Sequence, residues 1–351
     1  AFRSKALNNY YHVLLEKRVV VMTNFIKKHW FFVGIAVAAV LAFCAPGLGL
    51  FVREYKILKI GIFLAFLVTG MTLDTSDVVR QLKDFRVLIA AIFSSLFFFP
   101  CVTYFAANIA FPSHPDFVIG AIIIATVPVT IASGTVMTGM AKGNIPLSLF
   151  ICVLCNGVAI FTIPPLLNIF VSVTEPIELP VMQMMLSLVI TILLPTVIGQ
   201  FLRPQGQKIV KAHKTKISIF NQSVVLLIIF NAVASSTAKL IEAGPAIIYV
   251  FLFMVILHTC FLLFNYRLAK FIKLDRPSVA AFTIHTSQKT LTVSYLVWAG
   301  YLAGTFPMAL IPCIAYHLTQ SICDTILAEK LRQAADKEEH AMLKKATELP
   351  Q

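Results

Sequence analysis

The chain has 351 residues, of which 58% are hydrophobic and only 13% charged. A water-soluble domain needs far more charge to keep its surface wet, so the composition excludes one and points to a membrane protein. The formal net charge of +13 raises nucleic-acid binding, but that function wants basic residues on one soluble face with aromatics among them, and here they are distributed otherwise.

Residues 1–28 are expected to be a cytoplasmic N-terminal segment. Within 1–21, Arg3, Lys5, Lys17 and Arg18 mix with Tyr10, Tyr11, Leu14 and Leu15. This is either a helix on the membrane surface or sequence upstream of a start at Met22. The first apolar run follows a basic stretch but is long enough to span, so no cleavable signal peptide is expected. A membrane helix needs roughly 20 apolar residues. Such runs recur near 29–46, 56–73, 86–110, 117–140, 145–172, 178–202, 217–237, 245–270, 277–303 and 306–328. They are too long and too uniformly apolar for barrel strands. The predicted fold class is therefore an all-α membrane protein with ten transmembrane helices.

Threading these spans alternately places 24 of the 29 Lys and Arg on the N-terminal side, four on the other and one, Lys289, inside a span. The excess of positive charge puts both termini in the cytoplasm, in a plasma or inner membrane. The cysteines Cys44, Cys101, Cys152, Cys155, Cys260, Cys313 and Cys323 all fall in or beside apolar spans. Cys152 and Cys155 are spaced as C-x-x-C but lie inside an apolar span, and no pair falls in a loop, so neither a disulfide framework nor a metal site is indicated, and no cofactor is expected. Residues 329–351 form a charged tail with spacings that suit a solvated helix.

The spans divide five and five around Thr174–Leu179, giving repeats 29–172 and 178–328 that enter the membrane from opposite sides. In the fourth span, Pro128 and Gly134 interrupt the apolar pattern together with Thr126, Thr130 and Ser133. In the ninth, residues 283–290 read Thr-Ile-His-Thr-Ser-Gln-Lys-Thr. Discontinuous helices at matching places in two halves mark the binding site of a secondary transporter, and irregular backbone survives at that depth only where protein or a wet cavity satisfies it. For Pro128 and Gly134 alone, a kink or close packing explains as much.

Lys289 is harder to explain away. It lies about 20 Å along its helix, where a lysine costs roughly 2.5–3.5 kcal/mol. Asp324 falls near the cytoplasmic end of the last span and no Asp or Glu falls in the core of one, so Lys289 has no carboxylate partner in view. Its nitrogen must face a wet cavity, lie against backbone carbonyls, bind an anion or lose its proton. His285, one turn earlier, is expected to be neutral beside it; His258 and His317 read as ordinary hydrogen-bonded contacts between helices. Thr130, Ser133, Gly134, Thr135, His285, Thr286, Ser287, Gln288, Lys289 and Thr290 are the candidate substrate-binding residues. With the half-helix N-termini they favour an organic anion. No enzyme or nucleotide motif occurs.

Ser133–Ser148, Gly70–Leu73 and Pro164-Pro165-Leu-Leu resemble the bile acid:sodium symporter family over nearly the whole chain, about Trp30 to Leu327. The resemblance implies ten spans in a core and a panel, two helices crossing at their breaks, and alternating access for bile acids or other organic anions, often with sodium. It also implies the positions of the family's sodium ligands, and the departures fall there. Gly134 and Thr135 stand at a Ser-Asn pair, Ser148 and Cys152 at a Ser and a Thr, and Ser95 near a glutamine. Anchoring on Gln288 puts Ile284 at the family's glutamate and Lys289 at its asparagine. Losing a carboxylate disfavours a hard cation, so sodium is doubtful as a cofactor. The run His285–Thr292 resembles a divergent branch linked to calcium handling.

The leading expectation is an organic-anion carrier in which Lys289 replaces bound sodium, working as a uniporter or with protons. Ion coupling is assigned to Lys289, Thr135, Ser148, Cys152, Ser95 and Gln288. The alternatives are sodium symport through the remaining neutral ligands, and a non-transporting regulator or receptor. The missing intramembrane carboxylate weighs against a cation/proton antiporter. Protein partners cannot be read from the sequence.

Overall fold

The computed structural model describes residues 30–72, 85–130, 132–175 and 177–347. The readings of residues 1–28, of the connector after Gly70–Leu73 and of the last residues of the tail lie outside the described residues. Every described element is helical, with no strand among the described residues. Such a fold closes its backbone hydrogen bonds within each segment, as lipid requires.

Trp30–Cys44 (α1) leads after Ala45 into Pro46–Glu54 (α2). Lys56, with φ 51, turns the chain into Ile57–Thr72 (α3). Phe85–Ala110 (α4) is α-helical except over Phe93–Phe98, where it widens into a π turn. Pro100 follows directly. A proline has no N–H for the carbonyl four residues back and crowds it, and a π turn gives that crowding room. Pro115–Thr126 (α5) and Ala132–Met140 (α6) are separated by a non-helical stretch. Ile145–Thr174 (α7) follows, its N-terminus capped by Asn144.

Helix α8, 181–212, carries a second π turn at Val189–Leu193, again just ahead of a proline, Pro195. Lys214–Ala243 (α9) and Ala246–Phe271 (α10) are continuous. Arg276–Ser287 (α11) and Leu291–Val297 (α12) are again separated by non-helical residues, and α12 continues through a π turn at Trp298–Leu302. Leu310–Thr347 (α13) closes the chain.

Five helices are long and apolar enough to cross a membrane: Phe85–Ala110, Ile145–Thr174, Val181–Val210, Thr215–Ala243 and Ala246–Phe271. α1, α3 and α5 are shorter apolar helices. The outer surface is apolar to an extent that water would not tolerate: Ile109 and Phe271 are each 82% exposed and Phe201 77%.

Two groups of helices surround the breaks. In one, α3 runs along α8 with backbones nearly touching. A Cβ on Gly70 would lie 2.2 Å from the Thr196 carbonyl oxygen, and one on Gly199 2.1 Å from that of Leu67. Small residues allow this approach, and Gln200 Nε2 donates to the Gly70 carbonyl at 2.6 Å. α9 joins the group through Asn231, whose amide donates to Gly49 O at 2.8 Å. In the other group α10 packs on α4, with Phe98 stacked on Phe264 at 4.2 Å and Phe99 tilted against Phe261 at 4.1 Å.

The charged tail is the continuation of α13 rather than a separate helix, and one of its faces is docked. Asp336 and Glu339 pair with Lys142 at 2.6 and 2.8 Å, and Glu338 with Arg276 at 3.4 Å. The Lys142 ammonium holds both of its carboxyl partners below their usual range. Lys142 follows α6 and Arg276 begins α11, so the tail bridges one end of each divided span.

Gly70→Ala and Gly199→Ala are each expected to destabilise the purified protein by about 1–3 kcal/mol, the usual cost of overpacking. Thermal unfolding in detergent checks this, with Gly300→Ala, where nothing lies within 4 Å of the added methyl, as the unaffected control.

Candidate functional site

The stretch between α5 and α6 leaves a run of carbonyls without helical partners, and each that matters finds another. Pro128 O accepts from the Thr290 backbone N–H at 2.9 Å, so the two breaks bond directly to each other. Val129 O accepts from the Asn156 amide at 3.1 Å. Thr130 O accepts from His285 Nε2 at 2.9 Å. Ala125 O and Val127 O accept from the Lys289 ammonium at 2.8 and 3.0 Å.

The same ammonium donates to Ser95 O at 2.6 Å and lies 3.2 Å from Ser95 Oγ. Ser95 belongs to the π turn of α4. Three carbonyls that can only accept need three hydrogens, so Nζ is a charged –NH₃⁺ in this arrangement. The Phe99 ring face, 5.1 Å away, favours the positive charge further. Lys289 is wholly buried, and it bonds to oxygens of two other helices rather than facing a cavity.

The second break is held from α13. Gln320 pairs with the Lys289 backbone in both directions, Oε1 accepting from its N–H at 2.8 Å and Nε2 donating to its carbonyl at 2.9 Å. Tyr316 donates to Ser287 O at 2.7 Å. Leaving such groups unpaired at this depth would cost about 1–3 kcal/mol each.

His285 fills the space beside Gly134. A Cβ there would lie 2.7–2.9 Å from three atoms of the imidazole ring. Because Thr130 O can only accept, His285 Nε2 carries the hydrogen. Nδ1 lies 2.5 Å from the Ser148 hydroxyl, and Ser148 in turn accepts from Thr138 at 3.2 Å.

The remaining sequence-derived candidates separate into those on a cavity and those behind its wall. A cavity of about 370 Å³ lies between the two helix groups. Thr130, Ser133 and Thr290 line it, opposite Trp30, Phe31 and Phe66. His285, Thr286, Ser287, Gln288 and Lys289 do not line it. Thr286 is bonded back to Phe282 O, and Ser287 Oγ donates to Thr283 O at 2.8 Å and accepts from Asn265 at 2.7 Å. Gln288 Oε1 accepts from Thr130 and, at 2.9 Å, from Ser133. Cys152 Sγ lies 3.6 Å from the Asn156 amide, apart from the ammonium. Thr135 is half-buried on α6. No group of three or more His, Cys, Asp or Glu suited to a metal occurs among the described residues.

One expectation is overturned. Asp324, expected near the cytoplasmic end of the last span and away from the crossing, is wholly buried, accepts from Gln288 Nε2 at 2.7 Å and faces His258 Nε2 at 3.0 Å. A carboxylate therefore does reach the crossing, though Lys289 is not its partner. Tyr316, Gln320 and Asp324 recur every four residues, which stacks them on one helix face. That polar stripe in an apolar span was the signal for all three.

The profile of the SBF-like CPA transporter family matches residues 29–333. A probable sodium/metabolite cotransporter of Oryza sativa subsp. indica, BASS4, chloroplastic, is 27% identical over 328 residues, covering 89% of this chain and 77% of that protein. The protein of the same name from Arabidopsis thaliana is 26% identical over 311 residues, covering 84% of this chain and 71% of the relative. Sodium/bile acid cotransporter 7 of Mus musculus is 23% identical over 318 residues, covering 87% and 93%. These relatives are multi-pass membrane transporters, not enzymes.

Gly134→Ala is expected to push the His285 ring off its bonds to Ser148 and Thr130 and to lower the melting temperature. Combined with His285→Ala it should cost less than the sum of the two single changes, by about 0.5–3 kcal/mol, as contacting residues do. A double-mutant cycle on thermal unfolding reads the difference.

Proposed function

We propose, from the plain fact that the chain belongs to the SBF-like CPA transporter family, within the bile acid:sodium symporter group, that it carries an organic anion by alternating access with Lys289 in place of a bound sodium ion. That the protein is a membrane transporter follows from the family; the substrate and mechanism are our reading. The observation that carries it is the Lys289 ammonium held by the carbonyls of Ser95, Ala125 and Val127. Converging oxygens from two helices are what a hard cation seeks, and here a tethered cation takes them.

Because that ammonium is spent on carbonyls, the substrate meets its positive potential indirectly. The first turns of α6 and α12 border the cavity at Ser133, Thr290, Leu291 and Thr292, and helix N-termini favour anions. The cavity volume is within the range for small organic ligands. In this reading the chain crosses the membrane ten times in two inverted five-helix repeats. The helix group of α3, α8 and α9 rocks against the group carrying the breaks, and both termini face the cytoplasm of a plasma or inner membrane.

Sodium symport is the second reading, favoured by the printed names of the relatives. It would draw its ligands from backbone carbonyls, Thr135, Ser148, Thr286 and Gln288, of which Ser148, Thr286 and Gln288 are already engaged. The relatives named above are cotransporters, which favours either carrier over a receptor that signals without transporting.

In proteoliposomes, counterflow of a panel comprising taurocholate and small mono- and dicarboxylates is expected to proceed in sodium-free buffer. Lys289→Gln should cut the rate at least about tenfold, since each carbonyl left unpaired costs about 1–3 kcal/mol and 1.4 kcal/mol is a factor of ten. Strict dependence on sodium would overturn the reading.

A further inference from the structure

Behind the cavity wall lies a polar chain that the Lys289 site does not use. Its far end is fixed by hydrogen-bond polarity. The Ser287 carbonyl can only accept, so Tyr316 spends its single hydrogen there, at 2.7 Å. The contact between Tyr316 Oη and His258 Nδ1, at 3.0 Å, must then be a donation from the ring. The other ring nitrogen, Nε2, faces Asp324 Oδ1 at 3.0 Å. That contact also requires a hydrogen, supplied either by an imidazolium or by a carboxylic acid. Either way His258 and Asp324 hold one proton between them. Both side chains are wholly buried.

The near end reaches the cavity. Asp324 Oδ2 accepts from Gln288 Nε2 at 2.7 Å. The same amide turns its Oε1 to the hydroxyls of Thr130 and Ser133, which line the cavity. With Asp324 ionised, this orientation is the only one that satisfies the carboxylate, because Oδ2 can only accept. If Asp324 takes up a proton on Oδ2 it becomes a donor, and the Gln288 amide can turn over. Its Nε2 then donates to Thr130 and Ser133. One of their own hydrogens stays in the 2.6 Å contact between the two hydroxyls, and the other is released to point into the cavity.

We propose that the His258–Asp324 pair binds a proton from water and that Gln288 transmits its arrival to the cavity, turning the Thr130–Ser133 hydroxyl pair from a donor to the protein into a donor to a bound acceptor such as a carboxylate. The balance is simple: the proton the pair already shares sits on His258 Nε2, a second joins Asp324 Oδ2, no covalent bond to substrate forms or breaks, and a monoanion carried with that second proton moves no net charge. The inference rests on the transport reading above and names its coupling ion as the proton.

The charged surroundings are few. His258 comes from α10, and Tyr316 and Cys323 from α13 itself. α6 carries no ionisable side chain. Asp116 of α5 is turned to the Met308 backbone N–H at 2.7 Å. From α11 and the second break, His285 is bonded to Ser148 and Thr130, and Lys289 to its carbonyls.

The test needs no substrate. Infrared difference spectra of the full-length protein in lipid nanodiscs are recorded between about pH 4 and 9, which brackets carboxyl and imidazole titration. A protonated-carboxyl C=O band should titrate in the wild type and vanish in Asp324→Asn. Its midpoint should move by roughly 0.4 pH unit or more in the Thr130→Val/Ser133→Ala double variant, the lower bound for contacting groups. Should Asp324→Asn fail to fold, His258→Gln must move the midpoint instead. Absence of an Asp324-dependent band, or a midpoint indifferent to the two hydroxyls, overturns the proposal. Lys289→Gln should retain the band, so the sodium-replacement reading can fail while this one stands, and the reverse.

Discussion

Broken backbone in the middle of a membrane must be satisfied from within the protein, and here one ammonium group takes two of its carbonyls together with a third from a neighbouring helix. Water is absent at that depth, so each orphaned carbonyl is a direct cost. Lys289 lies in one break and caps carbonyls of the other, while the π turn of α4 presents a third through Ser95. A neutral donor could not serve three acceptors at once. The charge that makes the lysine expensive in lipid is what three carbonyl dipoles and an aromatic face repay.

The consequence for transport follows from tethering. A bound sodium ion arrives and leaves, and in doing so it can harness a gradient. A lysine side chain cannot leave, so it holds the crossing together in every state in which its contacts survive, without bringing energy from outside. Any accumulation of substrate must then draw on another gradient or on the substrate's own. The buried carboxylate and imidazole at Asp324 and His258 stand one amide away from the cavity. They are placed where such a coupling would have to be.

Much of this was legible in the sequence. Apolar runs of spanning length, interrupted from Pro128 to Gly134 and again over 283–290, lie where the structure has no helix between α5 and α6 and between α11 and α12, but the breaks are shorter than those runs: Gly134 is already inside α6, and 283–287 complete α11. Lys289 stood out because a lone cation in an apolar span has few physical explanations, and one of those foreseen, a bed of carbonyls, is the arrangement found. What could not be read is which carbonyls: the Ser95 oxygen is available through a π turn, and nothing in Phe-Ser-Ser-Leu announces that geometry except Pro100 downstream. Asp324 was misplaced because its distance from the helix end was weighed without the polar stripe of Tyr316 and Gln320 on the same face. The cavity itself was invisible, since Trp30, Phe31 and Phe66 look like any aromatic residues in a span and only packing brings them opposite Thr130 and Ser133.

The central claim is that Lys289 occupies the place of a monovalent cation. It is tested most directly by thermal unfolding of the purified protein in sodium against potassium, for the wild type and for Lys289→Ala. The account predicts a wild type indifferent to the exchange. It predicts a variant in which sodium settles among the vacated carbonyls and raises stability with concentration, by about 2.7 kcal/mol at a hundredfold excess over its Kd. A wild type stabilised specifically by sodium would contradict it.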